Sequence, residues 1–263
     1  MNRLLFVITT YNKSEYAVSC IESIQKITDI DFDLVVVDDC STDDTVELCR
    51  NMGVRVITKT TGCGLTDSWN IGYKLFKDSE QYDYVILASH DILVPNNSLT
   101  ELVEVADKNN YSLICPLSTE RGSGHNHQAQ SVEVHYNGVG DIANDFNNYQ
   151  IVQDEILKIK KSITSANNLY QLDPFRTKMF NGFFFLMNRN IINYEHETDV
   201  LFDPQYPITK NDDEFNWGKL IPNNDFPAVC KTSFVFHFKG VVAQGLLRDN
   251  SRWKEEREKH EIN

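Results

Sequence analysis

Side chains able to hold a cation, accept a hydrogen bond or move a proton gather in a few short stretches. These are Thr9-Thr10-Tyr11-Asn12, Asp38-Asp39-Cys40-Ser41, Gly62-Cys63-Gly64, Ser89-His90-Asp91, Asn211-Asp212-Asp213-Glu214, and His237 with Lys239-Gly240. An ionised carboxylate can only accept hydrogen bonds. Hard divalent cations take oxygen ligands and need only one or two carboxylates when phosphate oxygens complete the shell. A carboxylate set against a hydroxyl can also take its proton, typically worth ~10²–10⁴-fold in rate. The plain alternative is that these Asp, Asn and Ser residues cap helices and that the glycines make turns. Capping suffices for any one of them; the whole set points to a site. His125 and His127 have the spacing of a ligand pair, but they lie in a polar stretch with no carboxylate nearby and read as solvent-exposed.

The elements that must position these residues alternate along the first half. Leu4–Thr9 is a short β-type run, and Lys13–Ile27 sets Ala17, Cys20, Ile21 and Ile24 at helical spacing. Phe32–Val37 is a continuous apolar run rich in β-branched residues, the mark of a strand buried on both faces. Helix at Asp44–Met52, strand at Val54–Thr58, helix at Leu65–Phe76 and strand at Tyr84–Ala88 continue the series. Helix at Leu99–Asp107 and strand at Tyr111–Cys115 complete it. Such alternation predicts an α/β fold with a mostly parallel central sheet and helices on both faces. Ligands of open α/β sheets bind beyond the carboxyl ends of the strands, where four of the stretches fall.

The pattern changes after Pro116. Residues 117–175 form a polar insert, with an exposed strand predicted at Ser131–Tyr136 and a helix around Val152–Ile163. Strands are predicted at Gly182–Met187 and Thr232–Phe238, and helices at Asp212–Leu220 and Arg248–His260, the last a charged C-terminal helix. Residues 1–263 read as one domain, with 1–116 as one half and 117–263 elaborating the site.

With 38 acidic and 25 basic residues the formal charge is −13. That weighs against nucleic acid as a partner, which requires Lys and Arg to displace counterions. The apolar run at Leu4–Ile8 is too short for a signal peptide, and no stretch approaches the ~20 apolar residues of a membrane span. The expectation is a cytoplasmic protein without a transmembrane segment. Six scattered cysteines with no Cys-x-x-Cys pair fit free thiols.

Four segments of the first half, FVITTYNKSEYAVSCIESI, LVVVDDCSTDDT, TGCGLTDSWNIGY and YVILASHDILVPNNSL, together resemble the nucleotide-binding half of glycosyltransferase family 2 with the GT-A, Rossmann-like fold. FNGFFFLMNRNII, LFDPQYPITKNDDEFNW and FVFHFKGVV follow in the order of that family's acceptor-side segments. The resemblance covers nearly the whole chain apart from the insert.

The resemblance implies an inverting, hexosyltransferase-type enzyme. It would move a sugar from a nucleotide-diphosphate donor (UDP favoured, GDP or dTDP as alternatives) to a glycan, lipid-linked or protein hydroxyl, assisted by Mn2+ or Mg2+. Thr10, Tyr11 and Asn12 would lie against the nucleobase, and Asp39 would accept from a base N–H. Gly64 would let the backbone approach the donor, and Asp67 or Asn70 would reach the ribose or pyrophosphate. Ser89, His90 and Asp91 occupy the place of the family's Asp-x-Asp, with Ser in place of the first Asp. Asp91 would hold the metal, and His90 is either a ligand or a packing residue. His237 would complete the metal shell, Lys239 would meet phosphate, and Asp212 or Asp213 would be the general base. The Ser-His-Asp departure keeps a second expectation open: a catalytically weak or inactive nucleotide- or glycan-binding relative. A nucleotidyltransferase would carry a Gly-rich basic loop after the first strand, and a dehydrogenase a G-x-G-x-x-G; neither is present.

Overall fold

A computed structural model describes residues 3–61, 64–119, 131–132, 175–176, 182–194, 200–202 and 228–238. The chain begins β1 (Leu4–Thr10), α1 (Ser14–Gln25), β2 (Phe32–Asp38), α2 (Thr45–Asn51), β3 (Arg55–Thr58), α3 (Leu65–Lys77) and β4 (Tyr84–Ser89). It continues with β5 (Ile92–Leu93), α4 (Ser98–Asn109), β6 (Leu113–Thr119), β7 (Ser131–Val132), β8 (Phe175–Arg176), β9 (Phe184–Asn188), a 3-10 helix at Arg189–Tyr194 and β10 (Ala228–His237).

One sheet runs in the order β3-β2-β1-β4-β9-β6-β10-β5, with β7 on β6 and β8 on β10. β1 pairs in parallel with β2 and β4, β2 with β3, and β6 with β10. β9 lies antiparallel between β4 and β6, so the strands of its two neighbours share one direction. Every residue of β1 is buried, because helices cover both faces. Leu4, Phe6 and Ile8 pack with α1 and α4 on one face. Leu5 and Val7 pack with Trp69, Tyr73 and Phe76 of α3 on the other. The sheet and its two helical layers thus match the sequence expectation.

Three details depart from it. β6 continues through Pro116, which sits between the residues paired to β9 (Leu113, Ile114) and those paired to β7 (Ser118, Thr119). On its other side Pro116 is in register with Cys230 of β10, immediately before that strand shifts register, and such irregularities are where a sheet tolerates proline. β10 starts four residues earlier than expected and shifts register between Cys230 and Phe234. At that irregularity Ser98 Oγ donates to the Phe234 carbonyl at 2.8 Å and Ser233 Oγ to the Ser98 carbonyl at 2.9 Å. β5, only two residues long, has no sequence signature. Of the exposed strand expected at Ser131–Tyr136, the described part is β7; the helices expected around Val152–Ile163, Asp212–Leu220 and Arg248–His260 lie outside the described residues.

Two devices fix α3 against the sheet. A Cβ on Gly72 would meet Val7 Cγ1 at 2.7 Å and Leu87 Cδ2 at 2.9 Å, so this helix approaches closer than any side chain permits. At its far end the Arg189 guanidinium donates to the carbonyls of Phe76, Lys77, Ser79 and Tyr82 at 2.9–3.3 Å, satisfying orphan groups of the helix terminus. No described helix is long and apolar enough to cross a membrane, and the five described cysteines are free thiols.

Candidate active site

Parallel pairing aligns Thr10 with Asp38, Asp38 with Thr58, and Thr9 with Ser89. The carboxyl ends of β1 to β4 therefore share one edge, and that of β10 joins them through β6. Thr10, Asp39, Ser89, His90, Asp91 and His237 all lie along it.

The corner made by β1 and β2 is laced internally. Asp38, 1% exposed, accepts from Thr10 Oγ1 at 2.9 Å, from the Ser41 N–H at 2.9 Å and from the Ser41 hydroxyl. Asn12 spends its side chain on the neighbouring loop: its Oδ1 accepts the Thr42 N–H at 2.7 Å, while its own N–H donates to Ser41 Oγ at 2.8 Å. The Ser14 N–H at the start of α1 donates to Asp43 Oδ2 at 3.3 Å, and Asp43 Oδ1 accepts from the Thr45 N–H at 3.1 Å. These hydrogen bonds from Thr45, Ser14 and Lys13 outweigh desolvation and lower the Asp43 pKa. Lys13 and Cys40 hold positive φ of 63° and 61°, a conformation costing non-glycine residues of order ~1 kcal/mol each, which the cross-links between the loops offset. Tyr11 is half-buried beside them.

Asp39 lies one residue further on, 6% exposed. Its Oδ1 meets Lys59 Nζ at 2.9 Å and its Oδ2 accepts the Gly64 N–H at 3.0 Å. Gly64, at φ 90° and ψ −177°, occupies backbone space that favours glycine and opens α3. Lys59 also reaches Asp67 Oδ2 at 2.6 Å, and the Gly64 carbonyl and Ser68 Oγ at 3.3 Å each. Its own carbonyl accepts from Cys40 Sγ at 3.0 Å. Burial would lower the Lys59 pKa; the two carboxylates prevail and raise it. Lys59 is absent from the sequence-derived set. The signal that finds it is register: Asp38 pairs with Thr58, so Asp39 and Lys59 leave the sheet side by side.

The second corner is assembled across the chain. After β4 the chain turns at His90 and Asp91, and β5 pairs antiparallel with β10, Ile92 opposite His237. The Phe238 N–H donates to the Asp91 carbonyl at 2.9 Å. Asp91 Oδ1 consequently meets Ser89 Oγ at 2.6 Å and His237 Nε2 at 3.5 Å. Burial would raise the Asp91 pKa; the charge and hydrogen bond of His237, then His90 and the Ser89 hydroxyl, outweigh it and hold it at about 2. His237 stacks on Phe183, centroids 4.5 Å apart and planes at 11°. His90 is 2% exposed and donates from Nδ1 to the Thr9 carbonyl at 3.1 Å, since a carbonyl can only accept. His90 therefore ties β1 to the β4–β5 turn.

Asp91 and His237 are the residues of this corner that could hold a divalent cation between them. Asp91 offers the hard oxygen and His237 a nitrogen, and phosphate oxygens and water can complete the shell, as Mg2+ commonly requires. No group of three His, Cys, Asp or Glu able to hold a metal occurs among the described residues.

Asn70, expected near the donor, faces the second half instead. Its Nδ2 donates to the Phe202 carbonyl at 2.8 Å, and its Oδ1 accepts the N–H groups of Leu201 and Phe202 at 3.2 and 2.9 Å. Phe184 and Phe185 are fully buried in opposite layers. Asp212, Asp213 and Lys239 lie outside the described residues, as do Gly62, Cys63, His125 and His127.

The family model for Glycosyl transferase family 2 matches residues 5–193. The glycosyltransferase GlyG of Streptococcus pneumoniae serotype 4 is 29% identical over 103 residues, 37% of this chain and 33% of that relative. The teichoic acid poly(glycerol phosphate) polymerase of Staphylococcus epidermidis is 44% identical over 48 residues, 18% of this chain and 7% of that one. The matches thus span a third or less of these curated relatives. Among solved structures, GalNAc-T7 with UDP, GalNAc and Mn2+ superposes with a TM-score of 0.62 at 15% identity, covering 89% of this chain and 43% of that one. The Pyrobaculum calidifontis mannosyltransferase PcManGT with GDP-Man and Mn2+ gives 0.57 at 15% identity, covering 94% and 60%. S. aureus TarS 1-349 with UDP-GlcNAc gives 0.56 at 15% identity, covering 97% and 69%. At such identities these three likenesses establish the fold.

Proposed function

The chain belongs to glycosyl transferase family 2 and has the GT-A fold, and from that premise we propose that it transfers a sugar, with inversion, from a nucleotide-diphosphate donor to a hydroxyl acceptor. The observation that carries this proposal is the pairing of β5 with β10, which sets Asp91 beside His237 on the same sheet edge as Asp39. One end of that edge suits a nucleobase and the other a metal-bound diphosphate, the base and the linkage to the sugar in a nucleotide-sugar.

In the proposed mechanism Thr10, Tyr11 and Asn12 shape the wall against which the base lies. Asp39 accepts a base N–H, which favours uracil or guanine. Gly64 admits the donor close to the backbone at the start of α3. Ser89 and His90 hold the Asp91 turn in place. Asp91 and His237 would hold Mn2+ or Mg2+, which when bound neutralises charge on the diphosphate, and Lys239 would add a contact to phosphate. Asp212 or Asp213 takes the proton of the acceptor hydroxyl. The acceptor oxygen bonds to the anomeric carbon from the face opposite the diphosphate, and the electron pair of the broken bond leaves with it. UDP is the favoured nucleotide; a glycan, lipid-linked or protein hydroxyl is the acceptor class. Several carboxylates of the −13 net charge fall at this edge, where a cation converts them from an obstacle to diphosphate into its support.

Calorimetric titration with UDP and GDP, with and without Mn2+, tests the proposal. Binding that strengthens with Mn2+, and donor turnover lost in Asp91→Asn, is expected. No binding of either nucleotide under both conditions would overturn it. Binding with equal background turnover in wild type, Asp91→Ala and Asp212→Ala would instead make the chain a binding relative.

A further inference from the structure

We propose that Lys59 is a specificity-determining residue, positioning Asp39 so that the donor pocket takes nucleotides whose base carries a lactam edge. The proposal rests on the donor-binding role of Asp39 given above and adds a residue that the sequence motifs do not contain.

Lys59 leaves the end of β3 level with Asp39, through the pairing of Thr58 with Asp38. Its side chain is 5% exposed and that of Asp39 9%. A lysine so placed is unlike the solvated lysines of ordinary loops. Its ammonium bridges Asp39 at 2.9 Å and Asp67 at 2.6 Å. Its backbone is held too, N–H to the Asp38 carbonyl at 3.0 Å and carbonyl to Cys40 Sγ at 3.0 Å. The Gly64 N–H grips the other Asp39 oxygen at 3.0 Å. Asp39 is thereby fixed in orientation by donors on both oxygens.

An ionised carboxylate accepts and never donates. Uracil N3 and guanine N1 carry a hydrogen next to a carbonyl and can donate to it. Cytosine N3 and adenine N1 bear a lone pair at the corresponding place, and that lone pair would face the carboxylate. Without Lys59 one of the two donors that hold the Asp39 carboxylate is gone, so the group can turn and no longer aims an oxygen at the N–H of the favoured bases. Lys59 thus acts through Asp39 and need not touch the base.

The test is titration of UDP, CDP, GDP and ADP, each with Mn2+, into the full chain and into Lys59→Gln and Lys74→Gln, with melting curves to establish folding. Wild type should favour UDP over CDP, or GDP over ADP, by about tenfold or more, the scale of one hydrogen bond to a charged group. Lys59→Gln should bring that ratio within about threefold by weakening the favoured nucleotide. Lys74→Gln, which removes an exposed lysine paired with Asp78, should keep it. Equal binding of the paired nucleotides by wild type, an unchanged ratio in folded Lys59→Gln, or loss of the ratio in Lys74→Gln would each overturn the role of Lys59 while leaving the glycosyltransferase proposal standing. Absence of all nucleotide binding by wild type would overturn both. If Lys59→Gln fails to fold, the ratio in Lys59→Met decides by the same criterion.

Discussion

The two corners of the edge are built in opposite ways. The β1–β2–β3 corner comes from one stretch of chain, residues 10–68, and is closed by its own bonds: three on Asp38, two donors on Asp39, four contacts on Lys59. The β4–β5–β10 corner joins Asp91 to His237 across more than half of the chain, and the ion pair between them is long, 3.5 Å. In the proposed function the first corner is a preorganised reader of the base, with Asp39 held by donors on both oxygens, and the second concentrates charge for a charged ligand. Preorganisation costs stability when disturbed, whereas a ligand-facing carboxylate costs activity.

The largest expected effect falls on the second corner. Asp91→Asn should cut donor turnover by about 10²-fold or more, the scale on which charge-stabilising groups act, while lowering unfolding free energy in urea titration by about 2 kcal/mol, the stability linked to its depressed pKa. A stability loss as large as that of the Lys59 variant below would erase the contrast. Of Asp212→Asn and Asp213→Asn, one should lose ~10²–10⁴-fold in turnover with donor affinity kept; steady-state kinetics beside nucleotide titration would separate base from cap. Next comes Lys59→Met, which strands a buried carboxylate and should cost about 3–5 kcal/mol, read as a lowered urea midpoint at unchanged slope. Asn70→Ala should cost about 1–3 kcal/mol and speed amide exchange at Leu201 and Phe202, whose N–H groups lose their acceptor. The smallest effect is in pH. The folded-state pKa of Lys59 is raised, so its stabilisation is complete below the ordinary lysine value and is lost as pH climbs through the folded value. Melting temperatures across that alkaline range should fall less in Lys59→Met than in wild type.

The strands were legible because β1, the inner part of β2 and β4 are buried on both faces, which forces continuous apolar runs. The strand-end clusters were legible because a parallel sheet gathers its carboxyl ends at one edge. Lys59 was not, since a lysine after a strand ordinarily points to water and only register puts it beside Asp39. Nor was the use of Asn70, whose amide can pair with any backbone it meets; helical position shows which way it faces but not what arrives there. Phe183, stacked on His237, looked like one more aromatic of an apolar run.

By itself the sequence determined the alternating layers, the chemistry available at each strand end and the family to which the chain belongs. All three are local: periodicity, burial and ordered motifs are written in contiguous residues. Tertiary structure alone decided that β9 enters antiparallel between β4 and β6, and that two residues of β5 turn back onto β10. An apolar run encodes that a strand is buried, not its neighbour or its direction, so the family resemblance could imply that Asp91 and His237 share a site, but the pairing of β5 with β10 is what brings them there.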